Sequence, residues 1–166
     1  RHVAKVATSS GRAEVVGLFD PNVEQIDKAR ALYPDAATGD DLQNLIETLS
    51  PDIVAVVGPD HLHADPTILA LDRGCPVLVE KLIATTVADS IRMVEAADRS
   101  GLEIMDDHTV RYMTAWHEMS IAARTGEIGE IFFIQGDYIH DMWSHYSPEG
   151  KNHTPWRIDT VNPQNI

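Results

Sequence analysis

The chain has 166 residues, 43% of them hydrophobic, with a formal net charge of −13 and a pI near 4.8. This acidic balance disfavours nucleic acid and anionic membranes as partners, because phosphate binding needs clustered lysine and arginine. No apolar run approaches the roughly 20 residues that a membrane span requires, and the single cysteine, Cys75, excludes an internal disulfide, so we expect a cytoplasmic protein.

Short apolar runs alternate with helical patterns along residues 1–124. The predicted strands are 15–19, 53–57, 77–79 and 102–105. The predicted helices are 21–32, 40–49, 62–74, 86–100 and 111–124. Asp20, Asp40 and Thr86 suit helix N-caps. In the helix after Thr86, we expect Val87, Ile91 and Val94 to face the core.

Strands that alternate with helices predict βαβ units and a doubly wound parallel sheet of the α/β class, a Rossmann-type fold. Right-handed crossovers place the carboxyl end of every strand at one edge of the sheet. Asp20, the segment 58–63, Glu80-Lys81 and Asp107-His108 should therefore line one crevice, at the edge where open α/β sheets bind ligands.

The pattern changes after His108. A helix over 111–124 leads into Thr125-Gly126, and a long strand is predicted over 128–140. The alternating series of strands and helices ends with this helix. The long strand that follows it predicts a second, α+β domain beginning at residue 125. The tail from Asp141, rich in histidine, tryptophan and proline, is predicted to be a loop or arm.

The dipeptide Glu80-Lys81 stands where the apolar run 77–79 stops. A partly desolvated lysine at the ligand-binding edge of a sheet can donate or accept a proton, which makes Lys81 a catalytic candidate. The alternative is an ordinary surface ion pair, worth less than ~1 kcal/mol.

A metal site is the main rival hypothesis. His61-Leu62-His63-Ala64-Asp65 is an H-x-H-x-D string after a predicted strand, similar to that of metallo-β-lactamase-type hydrolases. That motif normally continues with Asp-His, whereas Pro66 follows Asp65 here. We therefore predict no metal and keep a Zn-dependent hydrolase, or a degenerate non-catalytic Rossmann domain, as the alternatives.

Several segments resemble the Gfo/Idh/MocA family of glucose–fructose oxidoreductase and inositol dehydrogenase-like enzymes. The segment 59–64, P-D-H-L-H-A, is similar to the family's T-P-N-x-x-H-A, and 73–81, R-G-C-P-V-L-V-E-K, to the end of its A-L-x-x-G-K-H-V-L-x-E-K-P. The segment 124–130 resembles its G-x-[IL]-G-x motif, and Trp156-Arg157 resembles its tryptophan–arginine pair. The resemblance implies an NAD(P)-dependent oxidoreductase that transfers a hydride between a nicotinamide cofactor and a sugar, inositol or related polyol.

The resemblance also implies roles for individual residues. The implied cofactor-binding residues are Asp20, Gly58, Pro59, Asp60, His63, Glu80 and Lys81. The implied substrate-binding residues are Lys81, His108, Arg111, Trp156 and Arg157. NAD is favoured over NADP, because no arginine closely follows Asp20 to pair with a 2′-phosphate.

Simpler interpretations of these residues stay open. Asp20 can be a helix cap only, His63 can pack at a helix start, and His108 and Arg111 can be surface residues. The aromatic and histidine side chains of the tail either line a sugar-sized substrate site or belong to a solvated arm; they are Trp143, His145, His153 and Trp156.

The chain also departs from the family pattern. Leu82 replaces the proline of the E-K-P motif, and Gly58 and Asp60 replace a threonine and an asparagine. The family's G-x-G-x-x-G turn is not found in this sequence, and from the resemblance we expect the family's G-G-G stretch and its D-x-x-x-H motif to lie beyond residue 166. We therefore expect a piece of a longer protein: 1–124 a dinucleotide-binding domain without its first strand, and 125–166 the start of a substrate and oligomerisation domain.

We expect the full-length protein to be a homo-oligomer. Because the first strand of a Rossmann sheet is central, we hypothesise that residues 1–166 alone are unstable and inactive. Cooperative thermal unfolding of this piece, with measurable NAD binding, would contradict that hypothesis.

Overall fold

A computed structural model of the chain describes residues 8–155, in which strands and helices alternate; the strand at 37–39 is the one that the sequence did not predict. The strands are β1 (Gly17–Phe19), β2 (Ala37–Gly39), β3 (Val54–Val56), β4 (Val77–Glu80) and β5 (Ile104–Asp107). The helices are α1 (Val23–Arg30), α2 (Leu42–Leu49), α3 (Ala64–Asp72), α4 (Val87–Ser100), α5 (Thr114–Arg124) and α6 (Trp143–Tyr146). Two short 3₁₀ helices, Asp60–Leu62 and Thr109–Tyr112, precede α3 and α5.

All pairing between the described strands is parallel. β1 pairs with β2, and β3, β4 and β5 form a second sheet in that order. In the Rossmann strand order 3-2-1-4-5-6, these two groups correspond to strands 3-2 and 4-5-6, on either side of strand 1. The predicted α/β class and parallel pairing are confirmed.

The core lies between the second sheet and the helices α3 and α4. Val77 and Val79 of β4 are 1% and 0% exposed, and they belong to one cluster with Leu71 of α3 and Met93 of α4. Full burial of an aliphatic side chain of this size contributes roughly 1.5–3 kcal/mol. This cluster fixes the positions of β3, β4 and β5, whose carboxyl ends carry the polar residues described below.

The turn between α3 and β4 matches its prediction. Gly74 follows the helix with a φ of +82°, a conformation that glycine adopts without strain. Cys75 is buried behind it, with its Sγ 3.4 Å from the carbonyl oxygen of Pro51. Burial raises the pKa of this thiol, which fits a packing role rather than a reactive one.

Two helices begin later than predicted. Asp20 is not the N-cap of α1, because its Oδ1 accepts the N–H of Asn22 at 2.8 Å and Asn22 then caps the helix through the N–H of Glu24. In the same way Asp41, rather than Asp40, caps α2. Each segment holds two residues that are able to cap within three positions, and the later one has its Oδ1 in reach of a helical N–H.

The buried face of α4 also differs from the prediction. Thr86 caps the helix as expected, since its Oγ1 accepts the N–H of Asp89 at 3.0 Å. Val87, Ile91 and Val94, however, are 77%, 52% and 56% exposed, whereas Met93 and Ala96 are fully buried. Two apolar stripes run along this helix, and the stripe with Met93 is the one that packs on the core.

The long strand predicted over 128–140 is wrong. No regular secondary structure is present there, and its large apolar side chains are solvent-exposed, with Phe132 at 96% and Ile139 at 95%. A strand forms only when its backbone groups pair with a neighbour, and no described strand pairs with this segment.

Within 8–155, none of the helices combines the length and the apolar character that crossing a membrane demands.

Candidate active site

The carboxyl ends of β3, β4 and β5 lie side by side, since the strands are adjacent and parallel. Val56 pairs in register with Val79, and Glu80 pairs with Asp107. The structure therefore brings most predicted site residues to one sheet edge; they are Gly58, Pro59, Asp60, His63, Glu80, Lys81, His108 and Arg111. Asp20 follows β1 in the other sheet, and Trp156 and Arg157 lie outside the described residues.

Glu80 and Lys81 are both half-buried, but they do not form an ion pair. Glu80 instead accepts the backbone N–H of Lys81 through Oε1 at 3.0 Å. Within 8–155 the ammonium of Lys81 has no carboxylate partner. The surface ion pair considered from the sequence is therefore not formed, and the lysine keeps its hydrogen-bonding capacity for a ligand.

His63 lies beneath this edge and is fully buried. Its Nδ1 is 2.7 Å from the carbonyl oxygen of Leu82, and its Nε2 is 2.9 Å from that of Gly58. Both ring nitrogens therefore face backbone carbonyls, one in the loop after β3 and one in the loop after β4. The ring joins the two loops that carry the predicted cofactor and substrate contacts.

Asp60 is the second buried polar residue at the tip of β3, only 4% exposed. It begins the 3₁₀ helix, which has no side-chain capping bond. Its Oδ2 is buried and has no hydrogen-bond donor among the described residues. A buried carboxylate oxygen without a donor is costly, and a ligand hydroxyl or amide N–H would satisfy it.

Asp106 was not singled out from the sequence, yet it orients a predicted site residue. Its Oδ2 lies 2.9 Å from Nδ1 of His108, whose side chain is 60% exposed. Its Oδ1 is buried and has no partner within the described chain. The string Asp106-Asp107-His108 at a strand end was the available signal, since residues two apart along a strand lie on the same face.

The tail holds the other predicted aromatic and histidine side chains. Residues 142–155 form α6 and a return segment, with Asn152 N–H bonded to the Ser144 carbonyl at 3.0 Å. His145 and His153 are half-buried, and each has a buried Nδ1 without a described partner. Trp143 is 59% exposed. Their proposed part in a substrate site stays a prediction.

The H-x-H-x-D string does not form a metal site. Both ring nitrogens of His63 face carbonyls, and Asp65 is paired with Arg92 of α4 at 2.8 Å. Residues 8–155 contain no group of three or more histidine, cysteine or acidic side chains that could hold a metal ion. The hydrolase alternative is therefore not favoured.

Known proteins with similar sequences include named dehydrogenases. The chain is 29% identical over 119 residues to D-glucoside 3-dehydrogenase of Escherichia coli K12, covering 72% of this chain and 34% of that protein. It is 26% identical over 137 residues to inositol 2-dehydrogenase of Salmonella typhimurium, covering 81% and 41%. The chain thus spans less than half the length of these relatives.

Solved structures agree with the sequence matches. The WlbA dehydrogenase of Bordetella pertussis, in complex with NADH and UDP-GlcNAcA, superposes with a TM-score of 0.72 at 27% identity, over 79% of this chain and 38% of that one. A model of the GFO_IDH_MocA oxidoreductase family, described by its NAD-binding Rossmann fold, matches residues 1–108. The chain therefore belongs to the Gfo/Idh/MocA family of NAD-binding oxidoreductases.

Proposed function

We propose that the protein containing this chain is an NAD-dependent dehydrogenase of a sugar, inositol or related polyol. The observation that carries the proposal is the half-buried Lys81 at the tip of β4, without a carboxylate partner in the described chain, beside the tip of β3. The dehydrogenase relatives, one named for a glucoside and another for inositol, support the substrate class.

The residues at the strand tips fit a bound dinucleotide. The unsatisfied Oδ2 of Asp60 suits a hydroxyl or amide donor of the cofactor. Gly58 follows β3 on the surface, where a Cβ would meet no other atom within 4 Å, so that a ligand can approach the backbone closely. Asp20 follows β1, where a carboxylate accepts hydrogen bonds from ribose hydroxyls in this fold.

The charge around Asp20 supports NAD rather than NADP. Phe19 of β1 pairs with Gly39 of β2, so that Asp20 and Asp40 continue from neighbouring strand ends. Asp41 follows directly. Three carboxylates near the 2′-position of the adenosine ribose would repel the 2′-phosphate of NADP, which is a dianion. One carboxylate can bind the two ribose hydroxyls of NAD.

The reaction separates a carbinol into a hydride and a proton. When bound, NAD supplies the nicotinamide C4 that accepts the hydride from the substrate carbon. Lys81 donates a hydrogen bond to the substrate oxygen and stabilises the negative charge that develops there as the O–H proton passes to water. Glu80 holds the Lys81 backbone by accepting its N–H, which keeps the lysine at the strand tip.

The test is Lys81→Ala in the full-length protein. We expect turnover on a panel of sugars and polyols to fall by at least about 100-fold, the usual contribution of a positioned acid or base, while the Kd for NAD stays within a few-fold. Lys151→Ala, an exposed lysine of the tail, is the matched control. Unchanged turnover of Lys81→Ala would remove Lys81 from the mechanism.

The domain boundary at 124/125 and the homo-oligomeric state of the full-length protein remain predictions. Limited proteolysis tests the first, since cleavage should concentrate near Thr125-Gly126. Sedimentation velocity tests the second, and a monomer at micromolar concentration would contradict it.

A further inference from the structure

The imidazole of His63 is a bridge between two loops that are 24 residues apart at their contact points, Gly58 and Leu82. Gly58 begins the loop after β3, where the backbone is open to a cofactor. Leu82 directly follows Lys81 in the loop after β4. One fully buried side chain thus contacts the backbone on both sides of the proposed reaction centre.

Both partners of the ring are hydrogen-bond acceptors. A neutral imidazole donates one hydrogen bond and an imidazolium donates two. The two ring nitrogens lie 2.7 and 2.9 Å from these carbonyl oxygens, so that holding both carbonyls takes an N–H on each nitrogen, and neither nitrogen is left for a cofactor atom. His63 therefore acts on the site through the backbone rather than by touching a ligand.

Other hydrogen bonds do not replace this bridge. Among the described residues, the carbonyls of Gly58 and Leu82 have no other hydrogen-bond donor than His63. The N–H of Lys81 is bonded to the side chain of its own neighbour Glu80, which is paired with Asp107 in the sheet. The buried ring adds a second restraint, on the backbone directly after Lys81, and a buried hydrogen bond is strengthened by the low local dielectric.

We propose that His63 is a positioning residue with two separable tasks. Its Nδ1 side fixes Leu82 and hence the place of Lys81 relative to substrate. Its Nε2 side fixes Gly58 and hence the backbone that meets the cofactor. The inference rests on the proposed role of Lys81 at the strand tip.

Two substitutions in the full-length protein separate the tasks. The amide nitrogen of asparagine takes the place of Nδ1, so His63→Asn keeps a donor for Leu82 and loses the one for Gly58. The amide nitrogen of glutamine takes the place of Nε2, so His63→Gln keeps the donor for Gly58 and loses the one for Leu82. His117→Asn and His117→Gln, on the exposed helix α5, are the matched controls.

We expect His63→Gln to lower kcat about tenfold with the KM for NAD within about twofold, because one hydrogen bond is worth about a tenfold effect. His63→Asn should raise the KM for NAD about tenfold and leave kcat within about twofold. A purely structural role would instead change kcat and KM alike in both variants, in step with their loss of stability, and that result would overturn the inference.

Two further measurements make every outcome informative. In the wild-type protein with ¹⁵N-labelled histidine, His63 should show a ring N–H that exchanges slowly with water; rapid exchange would overturn the inference even if both variants fail to fold. Lys81→Ala is assayed in parallel. If it leaves turnover unchanged, the role of Lys81 on which this inference rests fails, whereas the dehydrogenase activity stands; if it abolishes turnover while the His63 variants do not separate, only the present inference fails. No NAD-dependent turnover by the wild-type protein would contradict the proposed function itself.

Discussion

Glu80 of β4 and Asp107 of β5 lie directly opposite each other in the parallel ladder, with both side chains half-buried. Neither carboxylate has a cationic partner within 8–155. Like charges directly opposite each other in a sheet are destabilising by a few tenths of a kcal/mol. The two facing carboxylates at this edge of the sheet therefore lower the stability of the folded protein, and such a loss of stability is typical of functional sites.

Replacing Asp107 with asparagine should stabilise the ligand-free full-length protein by roughly 0.2–0.5 kcal/mol, because it removes this repulsion without changing side-chain volume. Urea denaturation measures the difference, which should shrink in about 1 M salt as charges are screened. Asp52→Asn, at an exposed loop position, is the control. A loss of stability in Asp107→Asn would show that the carboxylate has a favourable partner.

Met93 and Val94 lie on different apolar stripes of α4, so we expect substitutions at these two neighbouring residues to differ in their effect on stability. Met93 is fully buried, so Met93→Ala should destabilise the protein by about 2–5 kcal/mol through lost burial and a residual cavity. Val94 is 56% exposed, so Val94→Ala should change stability by less than about 0.5 kcal/mol. The apparent Tm of the two variants checks this. Equal losses would mean that both stripes are covered in the full-length protein.

Local sequence patterns predicted the alternation of strands and helices, the parallel pairing and the convergence of polar residues at one edge. They did not identify the buried stripe of α4, because Val87, Ile91 and Val94 have the same helical spacing that a core-facing stripe requires. They also gave a strand over 128–140, because alternating apolar residues do not show whether a neighbouring strand is present to pair with them.

Contacts between distant residues were beyond these patterns. The sequence places His63 near a helix start, but nothing in it shows that the ring reaches Leu82 across two elements. The absence of an ion pair between Glu80 and Lys81, by contrast, follows from the strand pattern, because adjacent residues of a strand point to opposite faces. Backbone geometry, rather than charge, decides the partner of Glu80.

The N-cap of α4 predicts a stability difference that depends on pH. The hydroxyl of Thr86 accepts the N–H of Asp89 at 3.0 Å and lies 2.7 Å from its Oδ2. Thr86→Ala should therefore cost about 1 kcal/mol near neutral pH. Thr85→Ala, one residue earlier and without a described capping bond, is the control.

The sign of the pH effect follows from Asp89. The hydrogen bond from Thr86, and then Arg92, hold the pKa of this carboxyl below its usual 3.8. A lowered pKa contributes stability that is present above the unfolded value and is lost as pH falls through the folded value. Urea denaturation at about pH 7 and about pH 3 should thus show a smaller Thr86→Ala effect at the lower pH. A larger effect there would contradict the assignment.

Asp20 carries two tasks that one substitution can separate. Its Oδ1 accepts the Asn22 N–H, and its charge is proposed to bind the adenosine ribose. Asp20→Asn retains an Oδ1 for Asn22 but loses the charge, so the first turn of α1 should stay intact while the Kd for NAD rises about tenfold or more, the value of a charged hydrogen bond. The Kd for NADP should fall or stay unchanged, since a repulsive charge is gone.

Asp40→Asn removes a neighbouring charge without the ribose contact, so it should improve NADP binding and change NAD binding less than about threefold. Isothermal titration of both cofactors with both variants measures the four effects, and equal weakening of NAD by the two substitutions would show that Asp20 acts only through its charge at a distance.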